Sequence, residues 1–381
     1  MSVGIFCFKP EIAFLANDID LYHYSLFFKI PYKGNGGSAY FAVMLQRFVS
    51  NEPFLLESGE ELAGLEIAYH VYGKMNSRRD NVVWVCHALT ANSDAAAWWP
   101  GVVGPGAAID PEKYFIVCAN ILGSCYGSSG PLSTNPATGK PYYSHFPRIT
   151  IRDQVKAHIL LRQALGIESI TLCMGGSMGG YQVLEWALAE PERIGRLFLI
   201  ATSATESAWG IAIHEAQRLA IEADASWRHD SADAGRAGLK AARAIGMLTY
   251  RNYQAMRQTQ QDPDPEKTDG FRAASYIRYQ GEKLVTRFNA QSYWLLTKSM
   301  DSHHIGRGRN KTVAEVLASI RQPTLVMGIK TDLLCPPEEQ RRMADALPHA
   351  RYIEIESDYG HDGFLVEAPL VSKSLLHWMQ A

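Results

Sequence analysis

An apolar run that breaks into Gly175-Gly176-Ser177-Met178-Gly179 and then resumes as a helical pattern leaves this chain few folds to adopt. Residues 170–174 read as a buried strand, and 181–189 carry helical spacing. A serine on so sharp a strand-to-helix turn has its hydroxyl pushed out above the sheet. Small neighbours let the backbone pack tightly enough to make the turn. Glycine-rich turns of this kind also cradle dinucleotide phosphates, but no Gly-Lys-Ser/Thr follows here, which argues against a phosphate loop. The context predicts a nucleophile elbow, with Ser177 as candidate nucleophile.

An elbow demands a parallel sheet around it, and the flanking pattern supplies one. Continuous or alternating apolar runs at 65–71, 82–86, 114–119, 197–201, 324–328 and 351–355 read as strands. Helical spacing covers 152–165, closed by Gly166, and a C-terminal helix opens at Pro369 and ends near Met379. Strands that alternate with helices predict an α/β fold whose central sheet is mostly parallel and flanked by helices. Between 203 and about 320 the strand pattern lapses. Helices are expected there at 210–223, 234–247, 276–289 and 290–300, forming an inserted helical lid. The expected organisation is an atypical extension over 1–43, core over 44–202, lid over 203–320 and core again over 321–381.

Bulk composition narrows the function classes. The chain has 381 residues, 47% hydrophobic and 20% charged, with a formal net charge of −2. That balance lacks the basic footprint of a nucleic-acid binder. No run of 18 uncharged apolar residues suggests a spanning helix. Six scattered cysteines without a Cys-x-x-Cys pair read as reduced thiols of a cytoplasmic protein, not as a disulfide or zinc frame. No metal is expected, and His303-His304 lacks ligand partners at a useful spacing. Residues 1–43 are rich in Phe and Tyr and show no clear period, and Lys9, Pro10 and Glu11 make a poor signal peptide. Two readings stay open: Met44 is the natural start, or the extension is real and packs on the surface.

A serine nucleophile needs a base, and the base needs an orienting carboxylate. On this topology the order is Ser, then Asp or Glu, then His, the last two on loops after late strands. Asp332 follows the strand at 324–328, and His361 follows the strand at 351–355. Asp332 alone also fits as the cap of a helix beginning near Pro337. The oxyanion hole needs two backbone N–H groups. Met178, next after the nucleophile, is one candidate, and Leu89 in Cys86-His87-Ala88-Leu89-Thr90 is the other. His87 reads either as a second base or as an orienting residue.

Several motifs together resemble the homoserine O-acetyltransferase family from about residue 50 to the C-terminus. They are His87-Ala88-Leu89-Thr90, Trp98-Trp99-Pro100-Gly101, Gly104-Pro105-Gly106, residues 122–131, Asn135-Pro136, Thr150-Ile151-Arg152-Asp153, the elbow, and Gly360-His361-Asp362-Gly363-Phe364. The resemblance implies the α/β-hydrolase fold and a dimer formed through the lid. It implies an acyltransferase of methionine biosynthesis that uses acetyl-CoA as co-substrate and holds no tightly bound cofactor. By the same resemblance Ser177, Asp332 and His361 form the catalytic triad. Arg243 and Tyr250 bind the substrate carboxylate, and Asp362 meets the substrate amine or serves as a turn residue. Arg243 and Tyr250, seven apart, fall on one helix face, and an arginine fork suits a carboxylate.

Transfer of an acyl group to L-homoserine is therefore expected, with L-serine as acceptor, succinyl-CoA as donor, or plain ester hydrolysis as rivals. Arg307, Arg309 and Lys311 read either as contacts for the phosphates of coenzyme A or as a solvated basic loop. Two departures from the family pattern stand out. Ala91-Asn92-Ser93-Asp94 replaces a Gly- and His-containing turn, which leaves acyl choice open, and Arg148 stands where an apolar residue is usual.

Overall fold

The structure, a computed structural model, describes residues 26–27 and 44–381. The remaining expectations about 1–43, including the break at 34–38, lie outside the described residues. The central sheet contains β1 (Leu26–Phe27), β2 (Met44–Ser50), β3 (Leu65–Tyr72), β4 (Val82–Cys86), β5 (Phe115–Ala119), β6 (Leu172–Gly176), β7 (Leu197–Ile200), β8 (Thr324–Ile329) and β9 (Ala350–Ile355). Their spatial order is β1-β2-β3-β5-β4-β6-β7-β8-β9. Strands β4 to β9 run parallel, while β1, β2 and β3 add an antiparallel margin.

The continuous apolar runs are explained by the two faces of this sheet. Successive side chains point to opposite faces, so a strand covered on both sides has no place for a polar residue. Trp84 and Cys173 enter one core with Leu197, Leu199 and Val326. Val83, Val85, Leu172, Met174, Phe198 and Met327 enter the other. The main helices are α1 (Ile151–Ala164), α2 (Met178–Ala189), α3 (Ala208–Glu222), α4 (Arg236–Tyr250), α5 (Tyr253–Gln260), α6 (Arg272–Val285), α7 (Ala290–Asp301), α8 (Pro337–Ala346) and α9 (Ala368–Gln380). Helix α1 begins in a reciprocal capping box between Thr150 and Asp153, and Asp153 also accepts from the Glu57 N–H at 2.7 Å.

Helices α3 to α7 stand between β7 and β8, where strand pattern lapses in the sequence. Their boundaries differ from expectation by up to four residues. Helix α6 starts four residues earlier than expected and ends at Val285, because Asn289 caps α7 by accepting from the Ser292 N–H. Helix α5 was not expected: it buries only Ala255, so it carries no apolar stripe to announce it. Strand β2 was not expected either. Phe48 is its one buried side chain among residues 45–50, so the run shows no buried stripe and is held by pairing with β3 on one side and β1 on the other.

Candidate active site

The elbow is built from steric necessity. Ser177 has φ 54°, in the left-handed region that a residue with a side chain adopts only under constraint. A Cβ on Gly179 would lie 2.2 Å from the Cys86 carbonyl oxygen, and one on Gly175 would lie 2.5 Å from Gly179. A Cβ on Gly180 would strike Thr202, whose Oγ1 donates to the Ser177 carbonyl at 2.8 Å. Helix α2 therefore begins at Met178, three residues earlier than its apolar spacing suggests, pressed against the end of β4.

Three loops at the carboxyl ends of parallel strands converge on Ser177. His361 Nε2 lies 3.0 Å from Ser177 Oγ, and His361 Nδ1 lies 2.7 Å from Asp332 Oδ2. A carboxylate only accepts, so the Nδ1–H donates to Asp332 and Nε2 is left to accept the serine proton. The other Asp332 oxygen accepts the Leu334 and Cys335 N–H groups at 2.8 and 2.9 Å, so Asp332 ties its own loop and does not cap α8. Ser177, Asp332 and His361 are 7%, 3% and 4% exposed, so bulk water has little access to the reacting oxygen.

Burial favours a neutral His361 ring, but the charge and hydrogen bond of Asp332 outweigh it and raise the imidazole above its ordinary value. Cys335 lies beside this pair, with its sulfur within 4.8 Å of ligand atoms of Asp332 and His361. Burial pushes its thiol well up, with the nearby Asp332 carboxylate adding to the effect, so it stays protonated. Of the basic residues considered above, His303 is buried, stacks on Tyr181 at 4.0 Å, and directs Nε2 to the Ser203 carbonyl. His304 accepts from the Gly306 N–H.

Met178 follows Ser177 directly, and Leu89 lies in the turn after β4, the strand whose end packs against the elbow. Among the described residues neither backbone N–H is taken by a protein acceptor. The turn from Ala88 to Ala91 that carries Leu89 is braced from several directions. His87 is buried, donates from Nδ1 to the Ala88 carbonyl at 2.8 Å and accepts the Ile121 N–H on Nε2 at 3.1 Å. Both its nitrogens are occupied and burial lowers its pKa to about 4, so it orients the turn and is no base. The Ser93 N–H donates to Asn120, the Tyr72 hydroxyl donates to Asp94, and Asn92 accepts from the Asp94 N–H and the Trp98 indole. The departure at 91–94 is thus a stitched turn with its own hydrogen bonds. Arg287, which sequence reasoning missed, donates to the Thr90 carbonyl and to the Tyr126 hydroxyl.

On the opposite side, the end of α4 lies against the His361 loop. A Cβ on Gly360 would sit 3.1 Å from the Tyr250 carbonyl oxygen. The Tyr250 ring is 5.8 Å from the His361 ring, and the Arg243 guanidinium stands 5.1 Å from the Tyr250 centroid. Arg243 makes no ion pair or hydrogen bond among the described residues. Asp362 is committed to Arg251, whose Nε is 3.1 Å away. Two of the three basic residues at 307–311 are paired with carboxylates. Arg307 forks onto both oxygens of Glu57 at 2.9 and 3.0 Å, and Arg309 pairs with Glu185 at 2.7 Å. Lys311 and Arg148 are exposed, and nothing in the structure explains Arg148.

Strand order, elbow and hydrogen-bonded serine place the molecule among proteins of the α/β hydrolase fold, whose family signature matches residues 81–368. The homoserine O-acetyltransferase of Cyclobacterium marinum is 48% identical over 320 residues, 84% of this chain and 91% of that protein. The chain belongs to the homoserine O-acetyltransferase family. The crystal structure of homoserine O-acetyltransferase from Bacillus anthracis superposes with a TM-score of 0.82 at 25% identity, covering 89% of this chain and 98% of that one. An acetylester hydrolase from Corynebacterium glutamicum shares the fold, with a TM-score of 0.79 at 22% identity over 88% and 96%.

Proposed function

We propose that this chain moves an acetyl group from acetyl-CoA to the hydroxyl of L-homoserine through an ester on Ser177, a step of methionine biosynthesis. The observation that carries the reading is the hydrogen-bonded line Asp332–His361–Ser177 beside an uncommitted Arg243. Ser177 Oγ attacks the thioester carbonyl while His361 Nε2 takes its proton. The carbon–sulfur bond breaks, and the departing thiolate receives that proton from His361. The homoserine hydroxyl then attacks the acetyl-serine and gives its proton to His361, which returns it to Ser177 Oγ as the ester breaks. The N–H groups of Leu89 and Met178 stabilise the oxyanion in both steps.

Arg243 and Tyr250 hold the acceptor carboxylate. The pairing of Asp362 with Arg251 leaves one of its oxygens for the acceptor amine. The low exposure of the triad favours transfer over hydrolysis, since a shielded ester meets the bound amino acid before water. No residue is assigned to the coenzyme A phosphates, and the reaction needs no resident metal or cofactor. The named activity of relatives at 48% identity supports homoserine and acetyl-CoA over L-serine or succinyl-CoA. One methylene in a pocket is worth only about 1–3 kcal/mol.

The protein acts in the cytoplasm as a dimer. No helix among the described residues is long and apolar enough to cross a membrane. Trp209, Leu219, Leu248, Tyr253 and Tyr279 are exposed on the helices between β7 and β8, a surface suited to a second copy. A sedimentation mass of one chain would refute the dimer. The reaction is tested by thiol release with a panel of acyl-CoAs and amino acids. Homoserine-dependent release that vanishes in Ser177→Ala is expected. Ester cleavage indifferent to every amino acid would instead favour an esterase.

A further inference from the structure

Tyr293 on α7 is 0% exposed, and its hydroxyl meets no hydrogen-bond partner in the protein. Buried hydroxyls normally find partners, and one left unpaired destabilises the fold that contains it. Its surroundings suggest what it serves. The Tyr250 hydroxyl is its polar neighbour, in a contact short of full hydrogen-bond geometry, and the Arg243 guanidinium stands 5.1 Å from the Tyr250 ring centroid. Burial keeps the phenol protonated at neutral pH, so it remains a donor.

Three groups are thus gathered at the acceptor end of the site: one guanidinium without a carboxylate partner, and two phenols. Asp362 feels the Arg243 charge, but its ion pair is with Arg251. Gln217 on α3 reinforces the pattern. It is 1% exposed, and both polar atoms of its amide lack partners. It packs against Gly246, whose Cβ would lie 2.9 Å from Gln217 Nε2 and 3.3 Å from the Tyr250 ring. Glycine at 246 is what lets this amide approach the Tyr250 ring.

A cation and two hydroxyl donors require acceptors, and a carboxylate supplies acceptor sites only, about four of them on one small planar group. We propose that the Tyr293 hydroxyl is a third donor, with Arg243 and Tyr250, to the α-carboxylate of the acceptor, and that it thereby selects an amino acid over water for the acetyl-serine. This rests on the acetyl-transfer reading above. The role is substrate binding: Tyr293 does not touch the reacting atoms, and acylation of Ser177 proceeds without it.

Tyr293→Phe tests the proposal, because it deletes one oxygen and keeps the ring. Three quantities are read: acetyl-Ser177 formation from acetyl-CoA without acceptor, steady-state thiol release against homoserine concentration, and the melting temperature. The expected result is unchanged acylation, a KM for homoserine raised about tenfold or more, and a melting temperature equal to or above that of the parent. The last is what separates binding from architecture, since a structural hydroxyl would lower it. A KM within twofold of the parent overturns the proposal, as does an equal loss in acylation. Absence of homoserine-dependent release in the parent protein would count against the acetyl-transfer reading itself, before the variant is examined.

Discussion

The two sides of Ser177 are built on different principles. On the elbow side, backbone contacts dictate the residues: glycine at 175, 179 and 180 is required by atoms 2.2–2.5 Å from where a Cβ would stand. The hydrogen bonds of the triad and its turns are made: His361 donates to Asp332, the Leu334 N–H donates to Asp332, and the Ile121 N–H, just past β5, donates to His87. On the side of helices α3 to α7, Arg243 is uncommitted and Gln217 and Tyr293 are buried with unpaired polar atoms. The lesson is a division of labour. Acyl chemistry is preorganised in the free protein, which is where electrostatic catalysis is effective. In the proposed reaction, acceptor recognition would fall to the unpaired polar groups, which cost stability until a substrate satisfies them.

The largest effect should come from breaking the preorganised half. In Asp332→Asn the side chain can present a donor to His361 Nδ1, which disfavours the tautomer that leaves Nε2 free to accept from Ser177. A loss of roughly 10⁴-fold in kcat is expected in both half-reactions. The pH profile carries the sign. His361 must be neutral to act as a base. Burial lowers its pKa, but Asp332 more than compensates and the net shift is upward, so parental activity falls as pH drops through a value above 6.5. Without the Asp332 charge that limb moves to lower pH. A limb that stays put in the variant, measured as kcat/KM for acetyl-CoA, would remove Asp332 from the role given it here.

How much of this was legible in the sequence follows the same divide. Continuous apolar strands and a glycine-bound serine leave local marks, because both arise from contacts within a few residues or from burial on two faces. The order Ser, Asp, His along the chain follows from parallel topology, so Asp332 and His361 could be named before their distances were known. Strand β2 and helix α5 were missed because a neighbouring element stabilises them, and no local pattern does. Tyr293 and Arg287 were missed for a related reason. Each reads as an ordinary residue in a helical region, and only the approach of α4 to α7, or of the α6–α7 junction to the Thr90 carbonyl, gives it its surroundings. Arg307 and Arg309 show the reverse error: a basic run reads as free charge until Glu57 and Glu185 arrive from distant elements.

The next effect in size should fall on the acceptor half alone. Arg243→Ala removes the one cation near Tyr250 that no protein carboxylate holds. A rise of about a hundredfold in the KM for homoserine is expected, from the loss of a charge-assisted fork. Acetyl-Ser177 formation should be spared. Equal losses in the two half-reactions would mean that Arg243 supports the triad and that the two halves are not separable.

The smallest effect belongs to the contact that joins the halves. Arg287, at the α6–α7 junction, donates to the Thr90 carbonyl and, at 2.6 Å, to the Tyr126 hydroxyl. It thereby couples the helical region to the turn that carries Leu89. The residue is exposed, and water competes for its hydrogen bonds, so the loss on Arg287→Ala should be modest, roughly threefold to tenfold. Its place beside the Leu89 turn decides where that loss appears. A looser Leu89 turn weakens an oxyanion donor used in both steps, so acylation and deacylation rates should fall together while the KM for homoserine holds. Both bonds leave from one nitrogen, Nη1, so lysine at 287, whose ammonium carries three donors, should restore part of the loss. A shift confined to the homoserine KM would assign Arg287 to the acceptor half, and the oxyanion turn would then be held by His87 and Asn120 without help from the lid.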